Sequence, residues 1–572
     1  MKIKKVYILF LLLLVLLTGC VKKNQPEQPT QPEQPTQPEQ LGTEGLEFHL
    51  LENGTYGVSM GSTKSLKEIE IPSKYNGKFV TQILDNGFQS SLMESISIPD
   101  SIRSIGRYAF KGCENLTSIT IPNGVTSIGF CSFSDCKNLT NIIIPESVTS
   151  IDAFAFDGSN NLTYNLYKDG KYLGNENNPY IILVEILSRE IETFEINPNT
   201  KFIGTNAFAN CYNLKSIEIP NSVISIGTAA FYFCSNLLEI KNSSNLISIC
   251  DDAFTGCSSL KSIEIPESVT SVGDRAFNYC TSLTYNVYHY GKYLGNENNP
   301  YLVLVDRDKS KELYGELEIN SSVKFIASNA LANYSYININ IPNSVIGIGS
   351  SAFSNSSLVE ISLPEGITTI SASTFHNCTS LTSITIPDNV TNIEASAFNG
   401  CISLVSVTIP NGVTNIGNNA FINCHSLYSI DIPNSVKSIG EGAFSYSNLY
   451  EITLPYGIAT IERNTFYDCN YLQSITIPDS VTSIGEGAFT GCDRLQNIEI
   501  PKGVTLIGKE AFSFCRNLQN IIIPESVISM GEKAFAYCSN LTIYCEAPSQ
   551  PSSWDNNWNS YDRPVYWEYS GE

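Results

Sequence analysis

The side chains best able to do chemistry in this 572-residue chain are its 17 cysteines and four histidines. A thiolate can be a nucleophile, a metal ligand or half of a disulfide. Most cysteines, among them Cys378, Cys401, Cys424, Cys469, Cys492, Cys515 and Cys538, fall three residues after a phenylalanine in a recurring stretch. Equivalent positions of a repeat stack in a column with parallel Cα–Cβ vectors, which suits a disulfide poorly. Ser447 and Tyr334 stand near the same place in other copies, as at a packing position. The column is therefore expected to hold buried free thiols, with Cys131/Cys136 and Cys538/Cys545 as the close pairs that could differ. Free thiols outside the cytoplasm would point to a reducing or anaerobic niche. No Cys-x-x-Cys pair offers a zinc site. His49, His289, His376 and His425 lie in no metalloprotease motif, nucleophile elbow or phosphate loop. Asp251 and Asp252 are adjacent, which implies no cleft. No catalytic residue, metal site or cofactor is expected, and the chain does not read as an enzyme. With 34 Lys+Arg against 56 Asp+Glu, the net charge is −22, which argues against nucleic-acid binding.

Cys20 stands apart. Lys2, Lys4 and Lys5 precede an apolar run over residues 6–17, the pattern of a secretory signal too short to span a membrane as an ordinary helix. It closes on Leu17-Thr18-Gly19-Cys20, which resembles a bacterial lipobox. That resemblance implies that residues 1–20 are a lipoprotein signal and that Cys20 carries the lipid, several acyl chains giving a stable anchor. Residues 21–40 are read as a stalk. Within them QPEQPTQPEQPTQPEQ favours polyproline II and reaches about 50 Å when extended. The expected location is the bacterial cell envelope, lipid-anchored. Val21 carries no acidic retention signal, which favours exposure at the surface.

The elements that position the thiols repeat every 23 residues, as in Phe110, Phe133 and Phe156 or Phe375, Phe398 and Phe421. Such a period means a solenoid, in which each unit buries its apolar face only against its neighbours. The clearest copy, LQSITIPDSVTSIGEGAFTGC, ends at Cys492. Its alternating, β-branched, Pro-stopped segment reads as a strand with one solvated face. The Ala-Phe-x-x-Cys-x-x-Leu segment has near-helical spacing and reads as a short helical turn on the outer side. A Gly often follows the second inward Ile, but Asp152, Ser371, Glu394 and Glu462 replace it, so positive φ is not required there.

This unit resembles the BspA-type leucine-rich repeat over roughly residues 66–541. The expectation is an α/β repeat solenoid with one parallel strand per ~23-residue unit and one continuous core. The resemblance implies a bacterial surface protein that binds host matrix proteins or other bacteria. Residues 41–65 read as an N-terminal cap with an Asn53-Gly54 turn, and residues 542–572, which hold all three Trp, as a C-terminal cap. Two matched inserts, near residues 162–190 and 283–312, lie 121 residues apart and read as hairpins.

Three surfaces remain for ligands. One is the outward strand face, represented by Thr120, Glu218, Glu264, Thr385, Thr408, Asp431, Thr453, Thr476 and Glu499, with Ile143, Ser362 and Ile522, expected to be flat. Another is the tyrosine-rich hairpins, with Tyr167, Tyr172, Tyr288 and Tyr293, which read either as recognition patches or as packing against the solenoid. The last is the Trp-rich end, with Trp554 and Trp558, read as a cap or as a glycan platform. Together they suggest a monomeric, membrane-anchored protein binding unidentified host or bacterial surface proteins. Glycan capture and a passive envelope spacer are the alternatives.

Overall fold

The computed structural model describes residues 42–51, 53–308 and 317–571. The signal, Cys20 and the stalk lie outside them. Gly42–Glu572 forms one compact unit.

A fully formed 23-residue coil makes two short parallel strands, where the sequence suggested one. In one coil these are Ser474–Thr476, paired with Glu451–Thr453, and Ser483–Ile484, paired with Thr460–Ile461. The first strand is stopped by its Ile-Pro step. The second forms because Val481 and Ile484 turn inward together and bury completely. Stacked coils thus build two parallel ladders, the arrangement of a β-solenoid.

The third side holds no helix. Among the described residues the only helical segment is a single 3-10 turn, Thr63–Ser65. The Ala-Phe-x-x-Cys segment is instead a run of tight turns with left-handed residues two before and two after the phenylalanine. Ser396 and Gly400 flank Phe398 with φ of 58° and 75°, and Asn464 and Asp468 flank Phe466 with 55° and 54°. These residues re-aim alternate N–H groups. Ser396, Phe398 and Gly400 donate across to Asn418, Ala420 and Ile422 of the next coil at 2.8–2.9 Å. Between them Ala397, Asn399 and Cys401 donate back within their own coil, to Glu394, Ser396 and Phe398. A helix would keep every N–H in its own coil and leave the stack without this third ladder. Left-handed backbone costs about 1–2 kcal/mol per ordinary residue, and Asn, Asp, Ser and Gly lower that cost.

The rings stack in register: Phe398 and Phe421 lie 5.1 Å apart at 9°, and Phe208 and Phe231 5.0 Å apart at 3°. The core is not continuous, however. It divides into three clusters, running from Val58 to Phe202, Tyr172 to Phe325 and Tyr293 to Trp558. The breaks fall at the two hairpins. After the second strand position, Ile182–Ile186 and Val303–Arg307 run on as antiparallel partners of Gly170–Leu173 and Gly291–Leu294. The chain there supplies a strand but no phenylalanine turn run, so no ring follows Phe156 or Phe277 in the stack.

The ends are closed differently. Glu47–Leu50 and Tyr56–Ser59 pair antiparallel around the Asn53-Gly54 turn, and the second of them starts a parallel ladder on Lys78–Ile83. Trp558, 23 residues after Phe535, meets it edge-on at 6.0 Å and 82° and ends the ring stack.

Phe398→Ala removes a ring stacked on both sides and is expected to cost about 3–5 kcal/mol. Phe156→Ala, at a broken end, is expected to cost clearly less. Urea unfolding midpoints of the two variants provide the comparison.

Candidate functional site

All 16 described cysteines are free. The column has a bonding role that explains its chemistry. Cys401 Sγ donates to the Phe375 carbonyl one coil back at 3.1 Å, Cys469 to Phe444 at 3.1 Å and Cys492 to Phe466 at 3.2 Å. Ser159 takes the same place with its hydroxyl, 2.7 Å from the Phe133 carbonyl. Most coils therefore place here a small side chain with one proton to give, although Tyr334 holds the place in one coil. Burial raises the thiols above their ordinary range, Cys136 to about 11 and Cys113, Cys424 and Cys469 to about 12. These four are buried and remain protonated at neutral pH, which suits neither a nucleophile nor a metal ligand. Among the described residues no group of three His, Cys, Asp or Glu could hold a metal ion.

The tyrosine hairpins divide by residue. Tyr172 and Tyr293 are fully buried, and their hydroxyls accept from the Asn197 and Asn320 N–H groups at 3.3 and 3.4 Å. Tyr167 and Tyr288 are half-buried and donate to Glu195 and Glu318 at 2.6 and 3.0 Å. These contacts fasten the hairpins to the solenoid, and Tyr172 and Tyr293 offer nothing to a ligand. The repeated GNENNPY run has an equally local cause. Asn175 Oδ1 accepts from the N–H groups of Asn177 and Asn178, and Asn296 repeats the pattern with Asn298 and Asn299.

The tryptophans are likewise interior. Trp554 and Trp558 are 3% and 4% exposed, and Trp554 Nε1 donates to the Val527 carbonyl at 3.1 Å. A glycan platform on these two rings is ruled out by their burial. Exposed rings do occur nearby, on the strand face: Tyr544 and Tyr566 stack at 5.5 Å and 18°, with Tyr566 open to solvent.

The strand face is the one predicted surface that is open along the array. Thr120, Glu218, Glu264, Thr385, Thr408, Asp431, Thr453, Thr476 and Glu499 are all exposed, as are Ser362 and Ile522, while Ile143 is half-buried. Parallel register places them in rows, with Ser362 beside Thr385, Thr408 beside Asp431, Thr453 beside Thr476 and Glu499 beside Ile522.

One part of this face is not flat. The loop at Asn175, Glu176 and Asn177 lies beside Thr120 and Ile143 and borders an open cleft of about 710 Å³. Ser97, Ile119, Asn123 and Glu146 complete its walls. Its size falls within the usual range of ligand sites. Sequence reasoning missed it because the insert was weighed as a tyrosine hairpin rather than as a wall. The usable signal was the polar NEN triplet following a glycine, at the point where the insert must rejoin the coil.

A sequence model of the BspA type leucine rich repeat region matches residues 81–176, 187–291, 310–428 and 414–542. Among solved structures, the chain is similar to a leucine-rich repeat protein from Bacteroides ovatus, with 23% identity over 88% of this chain and 99% of that one, TM-score 0.29. It is also similar to a leucine rich cell surface protein from Faecalibacterium prausnitzii, with 22% identity over 93% and 99%, TM-score 0.23. The pneumococcal vaccine antigen PcpA shares 17% identity over 92% and 98%, TM-score 0.22. The search of curated proteins gave no match.

The thiol column has a measurable consequence. Burial pushes Cys136 to about 11 and Cys113, Cys424 and Cys469 to about 12, against an ordinary 9.0, so above pH 9 the unfolded chain loses protons that these residues keep when folded. Stability is fully present below pH 9 and falls as pH rises towards 12, by up to about 1.4 kcal/mol per pH unit for each thiol. Urea unfolding between pH 8 and pH 10 should show a steep loss, and Cys424→Ser should make it shallower.

Proposed function

The chain belongs to the BspA-type leucine-rich repeat family, and from that membership we propose a lipid-anchored bacterial surface protein that binds other proteins through its strand face. The observation that carries the reading is the exposed, in-register face with its 710 Å³ cleft. Rows of small hydroxyl and carboxylate groups on a rigid ladder give a broad contact at little entropic cost, since the backbone beneath is already ordered. The concave corner under Asn175–Asn177 gives a partner's protruding side chain a place to bury, as tight contacts require. Host matrix proteins and the surface proteins of neighbouring bacteria are the proposed partners. The Cys20 anchor and the proline-rich stalk would hold the array away from the membrane.

Capture of glycans is the second reading. It no longer rests on the tryptophans; the stacked Tyr544 and Tyr566 now support it.

Two measurements test the proposal. Metabolic labelling with a fatty acid should mark the wild-type protein and not Cys20→Ser, which should leave the membrane fraction. Binding to immobilised matrix proteins and glycans should show protein ligands. Thr120→Arg, exposed at the cleft, should weaken that binding about tenfold, or about 1.4 kcal/mol, without changing the melting temperature. Glycans alone would support the Tyr544 reading, and an absence of any ligand would favour a passive spacer.

A further inference from the structure

The hairpins interrupt the turn-run ladder, and the two interruptions are finished differently. In an unbroken coil the N–H groups two before, at and two after the phenylalanine all donate to the next coil. At the first hairpin the next phenylalanine coil is that of Phe208, 52 residues beyond Phe156. Phe154 N–H is met by the Thr205 hydroxyl at 3.2 Å. The N–H groups of Phe156 and Gly158 reach no acceptor among the described residues. On the facing coil the carbonyls of Thr205, Ala207 and Ala209 receive no described N–H either. A donor edge and an acceptor edge thus face the same junction without bonding to each other. Between them is a cleft of about 300 Å³, with Phe156 and Gly158 on one wall, Thr205 and Asn206 on the other, and Tyr164 and Glu185 on the floor.

At the second hairpin the N–H groups of Phe277 and Tyr279 also reach no described acceptor, but side chains bridge the facing coils. Arg275 N–H is met by the Ser328 hydroxyl at 3.2 Å, the counterpart of the Phe154–Thr205 contact. There, however, Asp274 accepts from the Ser328 hydroxyl and the Ser350 N–H, both at 2.8 Å. Arg307 reaches across to the Ala332 and Asn333 carbonyls at 3.2 and 2.7 Å. The residues 121 positions earlier, at the first junction, are Ala153 and Ile186, which can do neither. Unmet N–H groups thus follow from inserting a hairpin, whereas the unbridged gap at the first junction is a property of these side chains.

We propose that the first junction is a peptide-binding cleft, which takes a short backbone segment of a partner protein as the missing rung. The segment's carbonyls accept from the Phe156 and Gly158 N–H groups, the same bonds that a further coil would make. Completing an open backbone ladder is an established mode of peptide recognition, in which main-chain bonds give affinity and flanking groups give selectivity. The volume admits small side chains. Asp152 and Asp157 line the cleft with Arg189 and with Glu185, which is paired with Lys171 at 2.9 Å, so the favoured segment is neutral or basic. The cleft is separate from the strand face, and its ligand can fail without affecting the reading given above.

The test uses the full chain and the synthetic peptide acetyl-Gly-Ala-Lys-Ala-Gly-amide. Titration should saturate in the micromolar-to-millimolar range. Amide hydrogen exchange should slow about tenfold at Phe156 and Gly158 and remain unchanged at Phe277 and Tyr279, a tenfold change corresponding to about 1.4 kcal/mol. Asn206→Tyr narrows the mouth of the cleft. Tyrosine is already accepted at the equivalent left-handed position, since Tyr108 has φ of 56° and Asn206 58°. This variant should abolish the protection, and Asp157→Lys, at an exposed site, should weaken binding about tenfold. The proposal is overturned if saturation is not reached, if protection survives Asn206→Tyr, if both junctions respond alike, or if replacing the peptide's Lys by Glu leaves the affinity unchanged.

Discussion

Every second N–H of the turn run donates to a carbonyl of the next coil, and the rest of the structure is arranged around that rule. A backbone can alternate in this way only by reversing its twist at intervals, which accounts for the left-handed residues two before and two after each phenylalanine. The reversals hold Phe398 over Phe421 and Phe421 over Phe444, at 5.1 and 5.6 Å, with their rings nearly parallel. The two strand ladders do the same work on the other sides of the coil, but each rests on only two or three residues. Without the third ladder a unit would bury its apolar side chains and leave a row of polar backbone groups unmet.

The same rule settles the chemistry of the cysteines. A turn that sends its N–H groups outward leaves the phenylalanine carbonyl with room for another donor, and the thiol of the next coil fills it. Hydroxyls can do so as well, as Ser159 shows. Cysteine combines a weak donor with an apolar surface, which suits a site surrounded by phenylalanine and leucine. A residue type usually read as reactive is used here for a single proton and a small volume.

The fold was legible where side chains carry the period. The phenylalanine spacing, the Ile-x-Ile-Pro alternation and the paired inserts follow from the sequence because burial selects them one residue at a time. The turn run was misread because Ala-Phe-x-x-Cys-x-x-Leu has helical spacing. The opposing signal lay in the intervening Asn, Asp, Ser and Gly, which record backbone twist rather than burial. The tyrosines were legible as an anomaly but not as to their depth, since Tyr172 and Tyr167 share one face of the hairpin and differ only in how far each is covered by the solenoid. On the strand face, alternation was enough to place Thr385 or Glu499 outward. The cleft beside Thr120 could not be read in that way. It depends on where the Asn175 loop comes to rest, and no periodicity encodes that.

The division of the core into three clusters also bears on how the protein carries load. Coils of a solenoid are joined only to their neighbours, so a pull between the two ends passes through every coil-to-coil seam in series. Most seams combine at least one strand ladder with a turn ladder and a ring stack. At the two hairpin seams the ring stack is absent, and hydroxyl contacts such as Thr205 to Phe154 stand in for the first rung of the turn ladder. The inserts are therefore where a load must pass without stacked rings, and they divide the rod into three lengths with separate cores.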